Sequence, residues 1–149
     1  MIAVLQRSLE ASVVVDGAEV ARIPRGFVVL LGVEKGDTET DLVWLADKVA
    51  GIRVFSDADG KMNLDIRGSG GEILCISQFT LLADCARGRR PGFQRSEDPA
   101  LAKPMWGKFC RRLEEAGIKV GRGVFAADMQ VSLVNDGPIT IVLDSRRRS

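Results

Sequence analysis

The run Phe27-Val28-Val29-Leu30-Leu31-Gly32-Val33 is apolar at every position, and a strand with no polar face has to be covered on both sides. The sheet that holds it therefore needs packing on either face. A chain of 149 residues can supply that cover from one core, because a domain of this size buries about 70% of its unfolded surface. No apolar run in it approaches the roughly 18 residues of a membrane-spanning helix.

Strand signals surround this run. Ile2 and Val4, then Val13 and Val15, alternate in the two-residue period of a half-buried strand, and Asp16-Gly17 supplies the turn that leads back through Ala18 to Ile23. A helix is predicted near Thr38, where Thr38-Glu39-Thr40-Asp41 resembles a capping box with aspartate in the glutamate position. Leu42, Leu45, Ala46, Val49 and Ala50 then mark one buried face. Ile52 to Phe55 reads as a strand, Asp57-Ala58-Asp59-Gly60 as a turn, and Glu72 to Ser77 as another strand.

A second helix opens with Asp98 as N-cap and Pro99 at the first helical position, and carries Ala102, Met105, Trp106, Phe109, Cys110 and Leu113 along one stripe before Gly117. That stripe reads as core. Pro104 predicts a later start or a kink, since an interior proline removes a hydrogen bond and costs about 3 kcal/mol. Met129 to Val134 and Ile139 to Leu143 read as strands on either side of an Asn135-Asp136-Gly137-Pro138 turn. The pattern predicts an α+β (α/β) fold of mainly antiparallel packed sheets, or a partial barrel, flanked by two main helices. One domain over 1–149 is expected, with residues 145–149 as a disordered basic tail.

Composition limits the chemistry more than the fold. With no histidine and no tyrosine, the chain cannot build a Ser-His-Asp or Cys-His arrangement or use a phenolic acid. Cys75, Cys85 and Cys110 are odd in number and lack Cys-x-x-Cys spacing, so neither a disulfide framework nor a zinc site is indicated, and no cofactor or metal is expected. A strand-like start without a signal-peptide pattern predicts a cytoplasmic protein. The net charge of +1 leaves any RNA contact to local clusters such as Arg87, Arg89 and Arg90, or the tail Arg146 to Arg148.

Two constellations carry functional signal. Ser77-Gln78-Phe79-Thr80-Leu81 ends an apolar strand in polar groups at a loop, where rigid backbone and exposed amides can assemble a site or can satisfy only one another. Asn135-Asp136-Gly137-Pro138-Ile139-Thr140 combines strong turn residues with a Gly-Pro bond. A hairpin accounts for it, but a cis Gly-Pro bond costs only about 0.5 to 1 kcal/mol and would aim two carbonyl oxygens the same way.

At these residues the chain resembles the D-aminoacyl-tRNA deacylase family, whose signatures are S-Q-F-T-L and N-x-G-P-x-T. Supporting matches are Leu5-Gln6-Arg7, Ala11-Ser12-Val13, Gly60-Lys61-Met62-Asn63, Arg89-Arg90-Pro91 and Ala127-Asp128-Met129. Two positions depart from the pattern: Ala126 and Gly92 stand where glycine and serine are common. The resemblance implies a homodimer of small α/β subunits acting on aminoacylated tRNA. In it, Ser77, Gln78, Phe79 and Thr80 would line the pocket for the terminal adenosine. Gly137-Pro138, with Asn135 and Thr140 in the same motif, would enter the partner's pocket as a cis pair held by Arg7, and Met129 would lie near the adenosine. The implied reaction is hydrolysis of the D-aminoacyl ester, and of glycyl esters on non-cognate tRNA, with L-esters rejected. The chemistry expected is substrate-assisted, with Thr80 as nucleophile the alternative, though no base for it stands nearby in sequence. The competing expectation is a non-catalytic dimeric nucleic-acid-binding module.

Overall fold

The computed structural model describes residues 1–148. Its centre is β1 (Ile2–Val15). On one side the first half of β1 pairs antiparallel with β3 (Gly26–Gly32) and the second half with β2 (Ala18–Ile23), and on the other side β1 pairs antiparallel with β8 (Gln130–Asp144). The Asp16-Gly17 hairpin forms as the sequence predicts. Both residues lie in the left-handed region, at φ 50° and 77°, the geometry that matches the twist of the flanking strands.

Helix α1 (Glu39–Gly51) carries the chain from β3 towards β6 (Glu72–Ser77), which lies parallel to β3. Helix α2 (Pro99–Glu115) leads to β7 (Val120–Arg122), parallel to β6. The sheet is therefore mixed. Every pairing of β1 is antiparallel, and the two parallel pairs arise where a helix sits in the connection and returns the chain to the same end of the sheet. A Cβ added at Gly121 of β7 would lie 3.4 Å from Ala21 and 3.6 Å from Ile23 of β2, so the sheet curls towards a partial barrel.

Alternation along β3 and β6 explains the fully apolar run. Phe27, Val29, Leu31, Ile73 and Cys75 face the helices, where Leu42, Leu45, Val49, Phe109 and Leu113 meet them. Val28, Leu74 and Ile76 face the inside of the curl with Val13 and Ile23. Asp41 closes the first helix as predicted, its carboxylate accepting the Thr38 amide at 2.9 Å and the Thr38 hydroxyl at 2.7 Å. Asp98 caps the second by accepting from the Ala100 amide at 2.8 Å.

Four local expectations change. Helix α2 starts at Pro99 and continues through Pro104; the proline is on the exposed side, and the carbonyl it leaves unpaired belongs to exposed Ala100. Of the predicted Ile52 to Phe55 strand only Phe55 is paired, in β4 (Phe55–Ser56) against β5 (Met62–Leu64), while the Val54 carbonyl is turned to Arg7. The tail from Ser145 to Arg148 is tied back: Ser145–Arg147 forms a 3-10 turn, Arg146 pairs with Glu34 at 2.9 Å, and Arg148 with Asp41 at 3.4 Å. Ser149, the last residue of that expected tail, lies outside the described residues.

The fourth change concerns the second constellation. Asn135 to Pro138 does not reverse the chain; β8 runs through it against one strand, β1. Gln6 faces Thr140 and Ser8 faces Asn135, so Arg7 alone stands opposite the stretch from Asp136 to Ile139. The surplus length bulges out of the strand, as extra residues in a ladder must.

Candidate active site

Where β6 ends, the Gln78 amide still donates to the Leu31 carbonyl at 2.8 Å, which prolongs the parallel ladder by one residue. The chain then tightens into a 3-10 turn, Phe79–Leu82. The amides of Phe79 and Thr80 precede the first bond of that turn and have no acceptor among the described residues. Gln78 donates its side-chain amide to the Thr80 hydroxyl. Two free N–H groups on rigid backbone thus sit beside a cluster of polar side chains.

Gln78 and Phe79, but not Thr80, border a cleft of about 650 Å³. Ser77, Gln78 and Phe79 line it together with Phe125, Ala126, Asp128 and Met129. Gly123 makes room for Met129: a Cβ there would come within 2.8 Å of its sulfur. Leu31, Val33, Ala102 and Trp106 give the cleft apolar lining, and Lys35, Glu97 and Asp98 bring charge to its border. The volume falls in the range of small-molecule sites, and apolar walls with a few placed polar groups are their usual construction.

Part of this lining has no signal in the sequence. Trp106 is core, at 8% exposure, as the α2 stripe predicts, yet it also lines the cleft. Phe93 packs its ring edge against Phe79 at a centroid distance of 4.9 Å. Neither carries a local motif; the aromatic stripe of α2 was the only signal for Trp106.

The other predicted residues lie elsewhere in the chain. Arg7, Asn135, Gly137, Pro138 and Thr140 do not border this cleft. They belong to the β1 and β8 ladder, where the Thr140 hydroxyl donates to the Gln6 side chain and the Gly137-Pro138 peptide is cis. Arg7 is 7% exposed. It donates from Nη1 to the Val54 carbonyl at 2.5 Å, and its Nε lies 3.0 Å from the Asp136 carboxylate. That second contact is an ion pair without an in-line hydrogen, since Nε has no hydrogen-bond partner. Beyond the bulge, Leu133, Val134 and Val142 of β8 are exposed, and β8 pairs only with β1 among the described residues.

Arg87, Arg89 and Arg90 are exposed on a loop that the Asp84 and Gly92 backbones close at 2.7 and 2.8 Å. The loop leaves from the 3-10 turn and returns into Phe93, so chain connectivity alone places its base at the cleft mouth. The buried Cys75 thiol is pushed up by its hydrogen bond with Cys110 and by full burial, which makes it a packing group and no nucleophile. No helix among the described residues is long and apolar enough to cross a membrane.

Comparison with known proteins gives the site its context. A "D-aminoacyl-tRNA deacylase" of Geobacter sulfurreducens is 54% identical over 149 residues, covering 100% of this chain and 98% of the relative. The solved "c-Myc DNA Unwinding Element Binding Protein" superposes with a TM-score of 0.91 at 37% identity, over 97% of this chain and 98% of that one. A structure described as a "probable eukaryotic D-amino acid tRNA deacylase" matches with a TM-score of 0.84 at 16% identity, over 95% and 97% of the two chains; it shows that the fold is shared. The model of the family described as "D-Tyr-tRNA(Tyr) deacylase" matches residues 4–144, and with it the chain belongs to the D-Tyr-tRNA(Tyr) deacylase family.

Proposed function

We propose that the protein hydrolyses the ester between a D-amino acid and the terminal ribose of tRNA, working as a cytoplasmic homodimer. The observation that carries this reading is the pair of unpaired amides at Phe79 and Thr80 beside a cleft, in a chain that has no histidine. Preorganised N–H groups can stabilise the oxyanion that forms when water adds to the ester carbonyl, and removing one such donor typically costs about 100- to 1000-fold in rate. The neighbouring ribose 2′-hydroxyl would help to activate that water. The carbonyl carbon's bond to the ribose oxygen then breaks, and that oxygen takes up a proton. Positioning of an already activated ester supplies much of the remaining acceleration.

Chirality would be read by the partner subunit. Gly137 and Pro138 stand on a bulge of an exposed edge strand, away from the cleft of their own chain. The exposed apolar side chains Leu133, Val134 and Val142 flank that bulge, which favours burial against a second copy. In that arrangement the Gly137 and Pro138 carbonyls would reach the other protomer's cleft and hold the α-amino group, leaving no room for an L side chain. Glycine has no side chain to exclude, so glycyl esters on non-cognate tRNA would also be cleaved. The loop with Arg87, Arg89 and Arg90 would meet phosphates of the tRNA.

A non-catalytic nucleic-acid-binding role is the second reading, and the name of the 37%-identical solved structure favours it. Incubation with matched D- and L-aminoacyl-tRNA separates the two. Loss of the D-ester with the L-ester intact supports the hydrolase; survival of both esters, with salt-sensitive DNA or RNA binding, would sink it.

A further inference from the structure

The peptide unit between Phe79 and Thr80 has one end occupied and one end free. The Phe79 carbonyl accepts from the Leu82 amide inside the 3-10 turn and from Ser96 Oγ at 3.3 Å, while the Thr80 N–H has no acceptor among the described residues. A trans peptide is planar, with its C=O and N–H on opposite sides. A partner fixed on the oxygen therefore fixes the direction of the N–H. Hydrogen bonding at the oxygen also polarises the unit, which strengthens the N–H as a donor.

Ser96 lies outside the S-Q-F-T-L motif and reaches Phe79 from the stretch 93–98, which is fastened to the end of β3. The Lys35 amide donates to the Arg95 carbonyl at 2.9 Å, and the Glu97 amide to the Val33 carbonyl at 3.0 Å. Arg95 also pairs at 2.8 Å with the carboxylate of buried Glu34. From this anchorage the stretch holds Phe79 twice, by the Phe93 ring against its own ring and by the Ser96 hydroxyl at its carbonyl.

We infer that Ser96 is a positioning residue for ester cleavage: its hydroxyl, added to the Leu82 amide on the same carbonyl, steadies and further polarises the Phe79-Thr80 peptide so that the Thr80 N–H meets the developing oxyanion. This rests on the hydrolysis and amide donors proposed above. No bond forms to Ser96, and its proton stays on its own oxygen.

The test is turnover of D-aminoacyl-tRNA by the full chain with Ser96→Ala, Ser96→Thr, and a backbone ester in place of the Phe79-Thr80 amide, alone and combined with Ser96→Ala. Losing one hydrogen bond that acts in the transition state should lower kcat about 3- to 10-fold with KM changed less than about twofold, and threonine should restore it. In the backbone-ester chain, which lacks the Thr80 N–H, Ser96→Ala should cost little more. If Ser96→Ala is fully active while the backbone ester is slow, the assignment is overturned and the amide reading stands. If the two losses multiply, Ser96 acts on another group and the assignment is equally wrong. A fully active backbone ester overturns the amide reading itself, and the Ser96 assignment with it. Should Ser96→Ala fold poorly, Ser96→Cys, a weaker donor of similar size, should give an intermediate kcat; wild-type kcat there would again refute the assignment.

Discussion

The Arg7 guanidinium lies 3.0 Å from the Asp136 carboxylate, and so ties the middle of β1 to the residue that enters the bulge of β8. Its other contact, to the Val54 carbonyl, gives one buried cation two segments to hold. Arg7→Ala leaves that carbonyl and Asp136 without their partner, and a hydrogen bond involving a charged group is worth about 1.5 to 3 kcal/mol. Chemical denaturation should show a loss of that size. Lysine at position 7, with a single nitrogen and no fork, should recover less than half of it; full recovery would mean that the two contacts do not act together.

Gly137 lies at φ 120°, and a Cβ added there would come within 2.8 Å of the Ile139 side chain and 3.0 Å of its amide. Gly137→Ala should therefore displace the bulge and abolish discrimination or turnover. If the bulge serves the opposite subunit, mixed dimers of Gly137→Ala with a cleft-dead Gln78→Ala chain should regain one working site. Mixtures no more active than the average of the two variants would show that each protomer uses its own bulge.

The Thr80 hydroxyl meets the Gln78 side-chain amide, which in either orientation is no base. A threonine nucleophile needs one. Thr80→Ala should keep turnover within about tenfold of wild type, since only side-chain hydrogen bonding near the reacting atoms is lost. No acyl-enzyme should accumulate at residue 80 on rapid quenching and mass analysis; one that does would make Thr80 the nucleophile.

Ala126, at the cleft border, has φ 63°, a conformation costing an L-residue about 1 to 2 kcal/mol. Glycine removes that cost, although its looser unfolded state returns about 0.4 to 1 kcal/mol. Ala126→Gly should consequently raise the melting temperature slightly without loss of activity. A lower Tm would show that the Ala126 methyl packs better than its backbone suffers.

Asp41 titrates at about 2 in place of 3.8: burial pushes it up, but hydrogen bonds from the Thr38 hydroxyl and amide and from Ser145, with the Arg148 charge, outweigh that. The folded form binds this proton more weakly than the unfolded form. Its contribution to stability is complete above the unfolded value and disappears as pH falls from about 4 towards about 2. Acid titration of unfolding free energy should show this slope, and Asp41→Asn should flatten it; an unchanged slope would assign the acid sensitivity to other carboxylates.

What could be read in the sequence was what local chemistry decides. Asp16-Gly17, Thr38 with Asp41, and Asp98-Pro99 each act on backbone within four residues, and each forms as read. Asn135 to Pro138 carries equally strong turn chemistry, but whether such residues reverse a chain or bulge out of it depends on what lies beside them. Here β1, far away in sequence, pairs on both sides of the bulge. The cleft divides in the same way. Ser77 to Phe79 announces itself as a motif, whereas Phe93 and Trp106 become walls only after α2 and the stretch before it fold back over β6. The parallel pairs were likewise invisible, since the direction of β6 depends on where α1 delivers the chain.

The interruption in β8 has a further effect on what can add to this edge of the sheet. An uncovered strand is ordinarily an invitation to any extended peptide, and so to fibrils. Here the register breaks between Asn135 and Thr140, leaving two short stretches of ladder with a projection between them. A straight foreign segment cannot zip along both, but a surface with a matching recess can accept the projection. The same irregularity thus discourages promiscuous stacking and leaves the edge open to a shape-matched mate.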